Sequence, residues 1–177
     1  MPTFDASNSE CFIYVYREGI LSAVGHDLKL RVTEFTLVGE QEPLSIHAEF
    51  RADSLRVIGA LKNGVVNENE PSVQDKQEIE NNIGRDVLET QKYPIISFHS
   101  TTIEKAGDHQ YRISGRLDLH GVIRMLNCTV AQKSGRAETT VSIHQSDFDI
   151  TPYRAFLGTL RVKPDVHVEI AMPFTFV

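Results

Sequence analysis

The sequence predicts an all-β fold of antiparallel strands with one short amphipathic helix. Three observations support this prediction. Apolar and polar residues alternate along many short segments, which is typical of strands that bury one face. Short turns containing glycine, aspartate or serine join neighbouring segments, so successive strands run antiparallel. A single segment instead shows helical spacing of its apolar residues.

The strands can be assigned in chain order from this alternation. In the clearest case, Leu28, Leu30 and Val32 occupy one face of segment 27–33. Regular alternation also covers 44–51, 111–119 and 166–170, with weaker versions at 11–17, 95–103, 126–132, 137–144 and 158–163. The turns between them are predicted at 17–19, 38–40, 106–108, 133–135 and 163–165. About nine strands must bury their apolar faces together, in a sandwich or a closed barrel.

Residues 74–90 break the alternation and predict the helix. Their apolar side chains recur at helical spacing in an otherwise charged stretch, at Ile79, Ile83, Val87 and Leu88. The preceding residues, 59–72, are rich in glycine, asparagine and glutamate, which favours a mobile loop. With 177 residues, 41% of them hydrophobic, the chain fits one domain spanning residues 1–177.

Composition and charge exclude several classes of protein. The formal charge is -6 at pH 7, whereas nucleic-acid binders carry a basic patch, so no nucleic-acid partner is expected. No window has the length of a membrane span, and the first residues do not resemble a secretory signal. We therefore expect a cytoplasmic protein that does not span a membrane; the alternative is a periplasmic protein whose signal peptide has been removed. Cys11 and Cys128 lack the spacing of zinc or redox motifs.

The seven histidines raise the question of a metal or acid–base site. Six are expected to be ordinary surface residues, on the polar faces of strands or in a turn: His47, His99, His109, His120, His144 and His167. His26 differs, because Gly25-His26-Asp27 lies where two strands meet. His26 and Asp27 are candidates for the mouth of a binding site or for a head-group contact. No further ligand is spaced to join them, so no metal is predicted.

Catalytic motifs are missing from the sequence. There is no G-x-S-x-G elbow, no S-x-x-K motif and no glycine-rich phosphate loop, so no catalytic residue and no cofactor is predicted. A binding function is favoured over an enzyme. Two alternatives stay open: a small-substrate enzyme or metal-dependent site centred on His26 and Asp27, and a non-catalytic interaction module that meets a partner through its outer face or through residues 59–72.

Three motifs in the C-terminal half resemble a known family. They are Lys92-Tyr93-Pro94-x-Ile96-x-Phe98, Leu119-His120-Gly121-Val122 and Ser146-Asp147-Phe148-x-Ile150. Their order and spacing resemble the YceI-like family of polyisoprenoid-binding proteins, from about residue 85 onwards. The chain departs from the family pattern at Asn81-Asn82 and Arg124-Met125, and its Gly25-His26-Asp27-Leu28 hairpin indicates a divergent branch.

The resemblance implies a lipocalin-like antiparallel barrel of about eight or nine strands with a helix at one end. It also implies a function: holding a long polyisoprenoid or quinone-like lipid in an apolar tunnel, as a carrier or sequestering protein. The expected partner is therefore a hydrophobic small molecule, such as a co-purified isoprenoid or other lipid. Pairing through exposed strands would give a homodimer. If the apolar faces point inward, the ligand-binding residues are Leu28, Leu30, Val32, Ile46, Ile96, Phe98, Ile113, Leu117, Leu119, Val141, Ile143, Phe148 and Val168.

Overall fold

Antiparallel strands make up most of the chain in a computed structural model, which describes residues 3–19, 25–42 and 44–173. The strands are β1 (Thr3–Asp5), β2 (Glu10–Val15), β3 (Arg17–Glu18), β4 (Asp27–Val32), β5 (Phe35–Gln41), β6 (Leu44–Arg51), β7 (Leu55–Lys62), β8 (Val65–Asn67), β9 (Ile95–Gly107), β10 (Gln110–Leu119), β11 (Val122–Lys133), β12 (Arg136–His144), β13 (Arg154–Ala155), β14 (Leu160–Val162) and β15 (Asp165–Pro173). The predicted mostly-β architecture is confirmed.

The strands form one large curled sheet and one small sheet. The 12-stranded sheet has the order β1-β5-β6-β9-β10-β11-β12-β15-β2-β4-β7-β8, and β13, β14 and β3 form the second sheet. Within the described residues, the edge strands β1 and β8 each pair on one side only. The sheet curls into a half-barrel, whereas the strand pattern left a sandwich or a closed barrel open and the resemblance implied a lipocalin-like barrel of about eight or nine strands.

One bent two-stranded ribbon connects the two ends of the large sheet. Strand β4 runs into β5, and β6 runs into β7 through the short 3₁₀ turn Ala52–Ser54. The backbone nitrogen of Thr33 donates to the Ser54 carbonyl oxygen at 3.1 Å, and that of Arg51 donates to the Glu34 carbonyl oxygen at 3.0 Å. These two hydrogen bonds join the bend between β4 and β5 to the bend between β6 and β7. Strand β4 can thus pair with β7 while β5 pairs with β6. The turn predicted at 38–40 is wrong, because those residues lie inside β5.

The sheet is joined weakly between β11 and β12. Strand β11 pairs with β10 over its whole length up to Ala131, and β12 pairs with β15 along its whole length. In the described chain, β11 and β12 pair with each other only through Ala131, Gln132 and Lys133. The wall therefore consists of two well-paired halves, which separate beyond this short ladder.

The helix covers one end of the curled sheet. Helix α1 (Val73–Asn82) continues into a π-helical turn over Ile83–Val87, which agrees with the prediction at 74–90. The Ser72 hydroxyl caps α1 by accepting from the Asp75 backbone nitrogen at 3.2 Å. The Glu80 carboxylate accepts from the Val57 backbone nitrogen at 2.8 Å and so ties the helix to β7.

The segment preceding the helix is not the loop that the sequence predicted. Part of residues 59–72 belongs to β7 and β8, which form a hairpin with Asn63-Gly64 at its turn. Both turn residues have positive φ, 52° and 78°. A type I′ turn needs this conformation at its two central positions, and Asn-Gly supplies it at low cost.

Candidate ligand-binding cavity

The inner face of the half-barrel surrounds a cavity of about 660 Å³. Its wall is overwhelmingly apolar, because each strand turns alternate residues inward. Along β4, for example, Leu28, Leu30 and Val32 are buried and line the cavity. All but one of the residues predicted to line a binding site border this space, namely Leu28, Leu30, Val32, Ile46, Ile96, Phe98, Ile113, Leu117, Leu119, Val141, Ile143 and Val168.

Phe148 is the exception among the predicted lining residues. The sequence placed it on a strand, but it ends the short 3₁₀ turn Gln145–Phe148 that follows β12. Its side chain is 4% exposed and belongs to a core cluster with Leu117, Leu119 and Ile143. Phe148 therefore packs behind the cavity wall rather than forming part of it.

The helix contributes lining residues that sequence reasoning did not assign to the site. Ile79, Ile83, Val87 and Leu88 all border the cavity. Ile79 and Ile83 pack on the Leu28–Leu30–Val57 cluster, so they close one end of the space. The signal for this was present, since the same four residues predicted the helix by their spacing.

Polar side chains gather where the cavity opens beside the helix. They are Arg17, His26, Asn82, Tyr153 and Arg161, which all border the space. The Asn82 amide lies 3.5 Å from the Tyr153 hydroxyl, at the C-terminal end of α1. His26 is exposed to solvent. The structure thus brings His26 to the mouth that the sequence suggested.

Asp27 does not border the cavity, and its contacts are with Arg17. Its carboxylate accepts from the Arg17 backbone nitrogen at 2.8 Å and lies 3.9 Å from the Arg17 Nε. The Arg17 guanidinium also donates to the Gly25 carbonyl oxygen. Asp27 therefore holds the turn and positions Arg17 at the mouth. Over residues 3–19, 25–42 and 44–173, no group of three or more His, Cys, Asp or Glu side chains could hold a metal ion.

Both thiols face the cavity in their neutral form. Burial raises the pKa of Cys11 to about 12. Burial also raises the pKa of Cys128, against a smaller lowering by a hydrogen bond with Thr139. A thiol with a raised pKa is a poor nucleophile at neutral pH and behaves as a small apolar group. Cys11 and Cys128 therefore add to the apolar character of the wall.

His120 is not the surface residue that the sequence predicted. It has a φ of 56° in the tight turn between β10 and β11, so its side chain leaves the polar face of the strand. The side chain is 8% exposed, and its ring lies 4.4 Å from that of Tyr93. Its Nδ1 lies 3.2 Å from the Phe148 carbonyl oxygen, and its Nε2 lies 2.9 Å from a Glu89 carboxylate oxygen. His120 joins the 3₁₀ turn to the end of the helix.

The curled sheet, its covering helix and its apolar cavity agree with a comparison against known families. The YceI-like domain matches residues 4–174, nearly the whole chain. The chain belongs to the YceI-like family. The resemblance found in the C-terminal motifs is thereby confirmed and extends to the N-terminal half. A comparison with curated proteins gives no match.

Solved structures of low sequence identity share the fold of this YceI-like chain. BcnA of Burkholderia cenocepacia has 15% identity and a TM-score of 0.66, over 97% of this chain and 99% of that one. A polyisoprenoid-binding domain from Saccharophagus degradans has 12% identity and a TM-score of 0.56, over 94% and 99%. The YceI protein of Campylobacter jejuni has 16% identity and a TM-score of 0.56, over 85% of each chain. No helix among the described residues is long and apolar enough to cross a membrane.

Proposed function

We propose that this YceI-like protein binds a long apolar lipid, a polyisoprenoid or a quinone-like chain, as a carrier or sequestering protein. The observation that supports this most directly is the apolar cavity of about 660 Å³ inside the half-barrel. Its size lies within the range of about 300–1,000 Å³ found for small-molecule sites. The Saccharophagus degradans domain of the same fold is described as polyisoprenoid-binding, which supports the same class of ligand.

Burial of the apolar chain supplies the binding free energy in this proposal. Each CH₂ group removed from water contributes about 0.8 kcal/mol, so a five-carbon isoprene unit contributes about 3–4 kcal/mol before costs are subtracted. Ordering a flexible chain and losing its overall motion offset much of that gain. Affinity should therefore rise with chain length until the cavity is full. No bond is broken, so no catalytic residue is required.

The polar end of the ligand is proposed to lie at the mouth beside the helix. Arg17, His26 and Arg161 offer hydrogen-bond donors there, and the acidic Asp75 and Glu78 of α1 also border the space. Asp27 acts indirectly in this proposal, because it holds Arg17 through its carboxylate. Under this proposal, His26→Ala weakens binding of a chain that has a polar head but not of the matching hydrocarbon.

Native mass spectrometry of protein purified from cells, followed by organic extraction, tests the proposal. A recurrent bound mass that extracts into organic solvent supports it. Leu117→Trp should reduce uptake of geranylgeraniol several-fold without unfolding the protein, because Leu117 borders the cavity and the larger ring takes up its space. Val65→Trp is the matched control, since Val65 is 70% exposed. Equal uptake by both variants, or a protein that never binds a polyprenol, would overturn the proposal.

Two further expectations stay predictions. The first is a cytoplasmic location, with the periplasm as the alternative, which fractionation of cells tests. The second is homodimer formation, which sedimentation equilibrium tests at several protein concentrations.

A further inference from the structure

The wall of the cavity has a seam between β11 and β12, formed by residues 122–130 and 139–144. Each of these stretches is fully paired on its other side, with β10 and with β15. Among the described residues they show no ladder pairing with each other, because pairing of β11 with β12 stops at Ala131 and Glu138. The two halves of the wall therefore do not depend on each other for ladder hydrogen bonds along the seam, and separating them beyond Thr139 breaks no backbone–backbone hydrogen bond of the ladder.

Apolar side chains line the inner side of the seam. Leu126 and Cys128 from β11, and Val141 and Ile143 from β12, all border the cavity. The closed end of the seam is marked by Thr139, whose hydroxyl donates to the Thr129 carbonyl oxygen at 2.9 Å. Beyond Thr139, a slender apolar chain between the strands would meet apolar side chains on the cavity side, together with the backbone groups of β11 and β12 that, among the described residues, have no ladder partner across the seam.

The other end of the seam is covered by the 3₁₀ turn that carries Phe148. This turn packs against β11. The buried Phe148 ring belongs to the core cluster against which Val122 and Leu126 of β11, and Val141 of β12, pack. The turn is held by His120, whose Nδ1 lies 3.2 Å from the Phe148 carbonyl oxygen. The turn and its buried Phe148 thus cover the end of the seam opposite Thr139.

The outer surface next to the seam carries two exposed apolar side chains on β11, while Thr140, Ser142 and His144 on β12 are exposed and polar. Ile123 and Met125 of β11 are 57% and 58% exposed. The mouth beside the helix differs, because Arg17, His26 and Arg161 border it. An apolar chain that passes polar groups strips water from them without replacing their hydrogen bonds, which costs free energy. Passage through the seam spares Arg17, His26 and Arg161, and its cost is limited to the backbone groups that face the seam.

We propose that the seam is the route by which the apolar ligand enters and leaves the cavity, and that Phe148 is the gate. This inference rests on the proposed function and adds its path of exchange. The polar mouth then serves to hold the head of the ligand, while the chain slides in sideways between β11 and β12. Because the seam leads directly into the apolar cavity, the molecule that passes through it is the apolar chain of the ligand itself.

A disulfide across the seam tests the route. Continuing the register of Ala131 with Glu138 places Cys128 opposite Val141, so Val141→Cys sets a second thiol across from the native one. Oxidation joins the two thiols in a disulfide, and dibromobimane bridges them where they are too far apart for a disulfide. Either cross-link holds β11 and β12 together at the seam. Release and uptake of cis-parinaric acid, followed by its fluorescence in stopped flow, should both slow by about tenfold or more. The cross-linked variant is compared with its own reduced form, and a reductant should restore the exchange rates of the disulfide-locked protein.

Thr139→Cys is the matched control. The Thr139 side chain already reaches Cys128 and the Thr129 carbonyl oxygen, so cross-linking at 139 ties the strands where they are already held. Its exchange rates should stay at the wild-type value. Phe148→Leu gives a second, independent test, because a smaller gate should speed release several-fold with little change in affinity.

The outcomes separate the two proposals. Wild-type protein that binds neither cis-parinaric acid nor geranylgeraniol contradicts the binding function, and the route with it. Binding with wild-type exchange rates in the cross-linked Val141→Cys protein overturns the route alone and leaves the binding function intact. The same conclusion follows if Phe148→Leu leaves the release rate unchanged.

Discussion

Gly115 is the position at which the structure makes the sharpest prediction about the cavity wall. It lies on the inward face of β10, under the ring of Phe98 from β9. A Cβ at residue 115 would lie 2.3 Å from the Phe98 Cζ and 2.5 Å from the His99 carbonyl oxygen. Real carbon atoms do not approach this closely. Gly115→Ala therefore forces the ring into the cavity and pushes one backbone strand from another.

The cost of Gly115→Ala can be worked out from these two clashes. Overpacking a well-packed site costs about 1–3 kcal/mol, and the carbonyl clash places this substitution at the upper end. About 3 kcal/mol corresponds to a fall in Tm of about 6–12 °C for a chain of this size. The Phe98 ring lies at the end of a side chain and can move to relieve its clash at low cost. The His99 carbonyl oxygen belongs to the backbone of β9 and cannot move so easily.

Urea unfolding and thermal melts measure the effect, with two reference variants. Gly107→Ala is the matched control, because a Cβ there meets only the Gln110 Cβ at 4.0 Å, so the stability should change by less than about 0.5 kcal/mol. In a Phe98→Ala background, Gly115→Ala should still cost about 2 kcal/mol, because the rigid clash with the His99 carbonyl oxygen remains and only the contribution of the ring is removed. A cost below about 0.5 kcal/mol, or the same cost in both backgrounds, would refute the reasoning.

Two further predictions concern polar contacts. The hydrogen bond at 2.8 Å to Asp165 raises the pKa of His144 above its ordinary value of 6.5, so the stabilisation is complete below that pH and is lost as the pH rises through the raised pKa. An NMR titration should show this pKa fall in Asp165→Asn; an unchanged pKa contradicts the assignment. Ser54 is 1% exposed and its hydroxyl accepts from the Glu34 backbone nitrogen at 3.1 Å. Ser54→Ala should therefore lower the unfolding free energy by about 1–3 kcal/mol in urea denaturation, and a change below about 0.5 kcal/mol would show that water replaces the hydroxyl.

The sequence predicted the inner face of the wall well because strand parity is a local property. Once a segment is a strand, alternate residues must face the same way. Leu28 and Leu30 border the cavity as predicted from their spacing alone. The prediction that Phe148 lies on a strand was wrong, because the chain forms a 3₁₀ turn at that point. In such a turn alternate residues do not share a face, so the strand rule gives the wrong direction for Phe148, and its side chain packs behind the wall.

The bends and the seam could not be read from local pattern. The sequence predicts a turn that includes Gly39, but Gly39 is buried inside β5, because the actual bend lies earlier, at Thr33 and Glu34. That bend is stabilised by groups near Ser54, about twenty residues away in sequence, and no window of the sequence shows such a contact. The hairpin at Asn63-Gly64 could have been found, since Asn-Gly between apolar segments is a strong hairpin signal.

The cavity couples ligand binding to folding stability, and this gives a final prediction. Residues such as Leu30 border the space on one side while they pack on neighbouring side chains on the other, so they lack part of the dispersion contact of a filled core. A ligand restores that contact only in the folded state, which stabilises the protein by about 2.7 kcal/mol at 100 times its dissociation constant. The corresponding rise in Tm is about 5–11 °C. Because Gly115→Ala drives the Phe98 ring into the same space, geranylgeraniol should raise the Tm of this variant less than that of Gly107→Ala. Equal rises would show that ring and ligand do not compete.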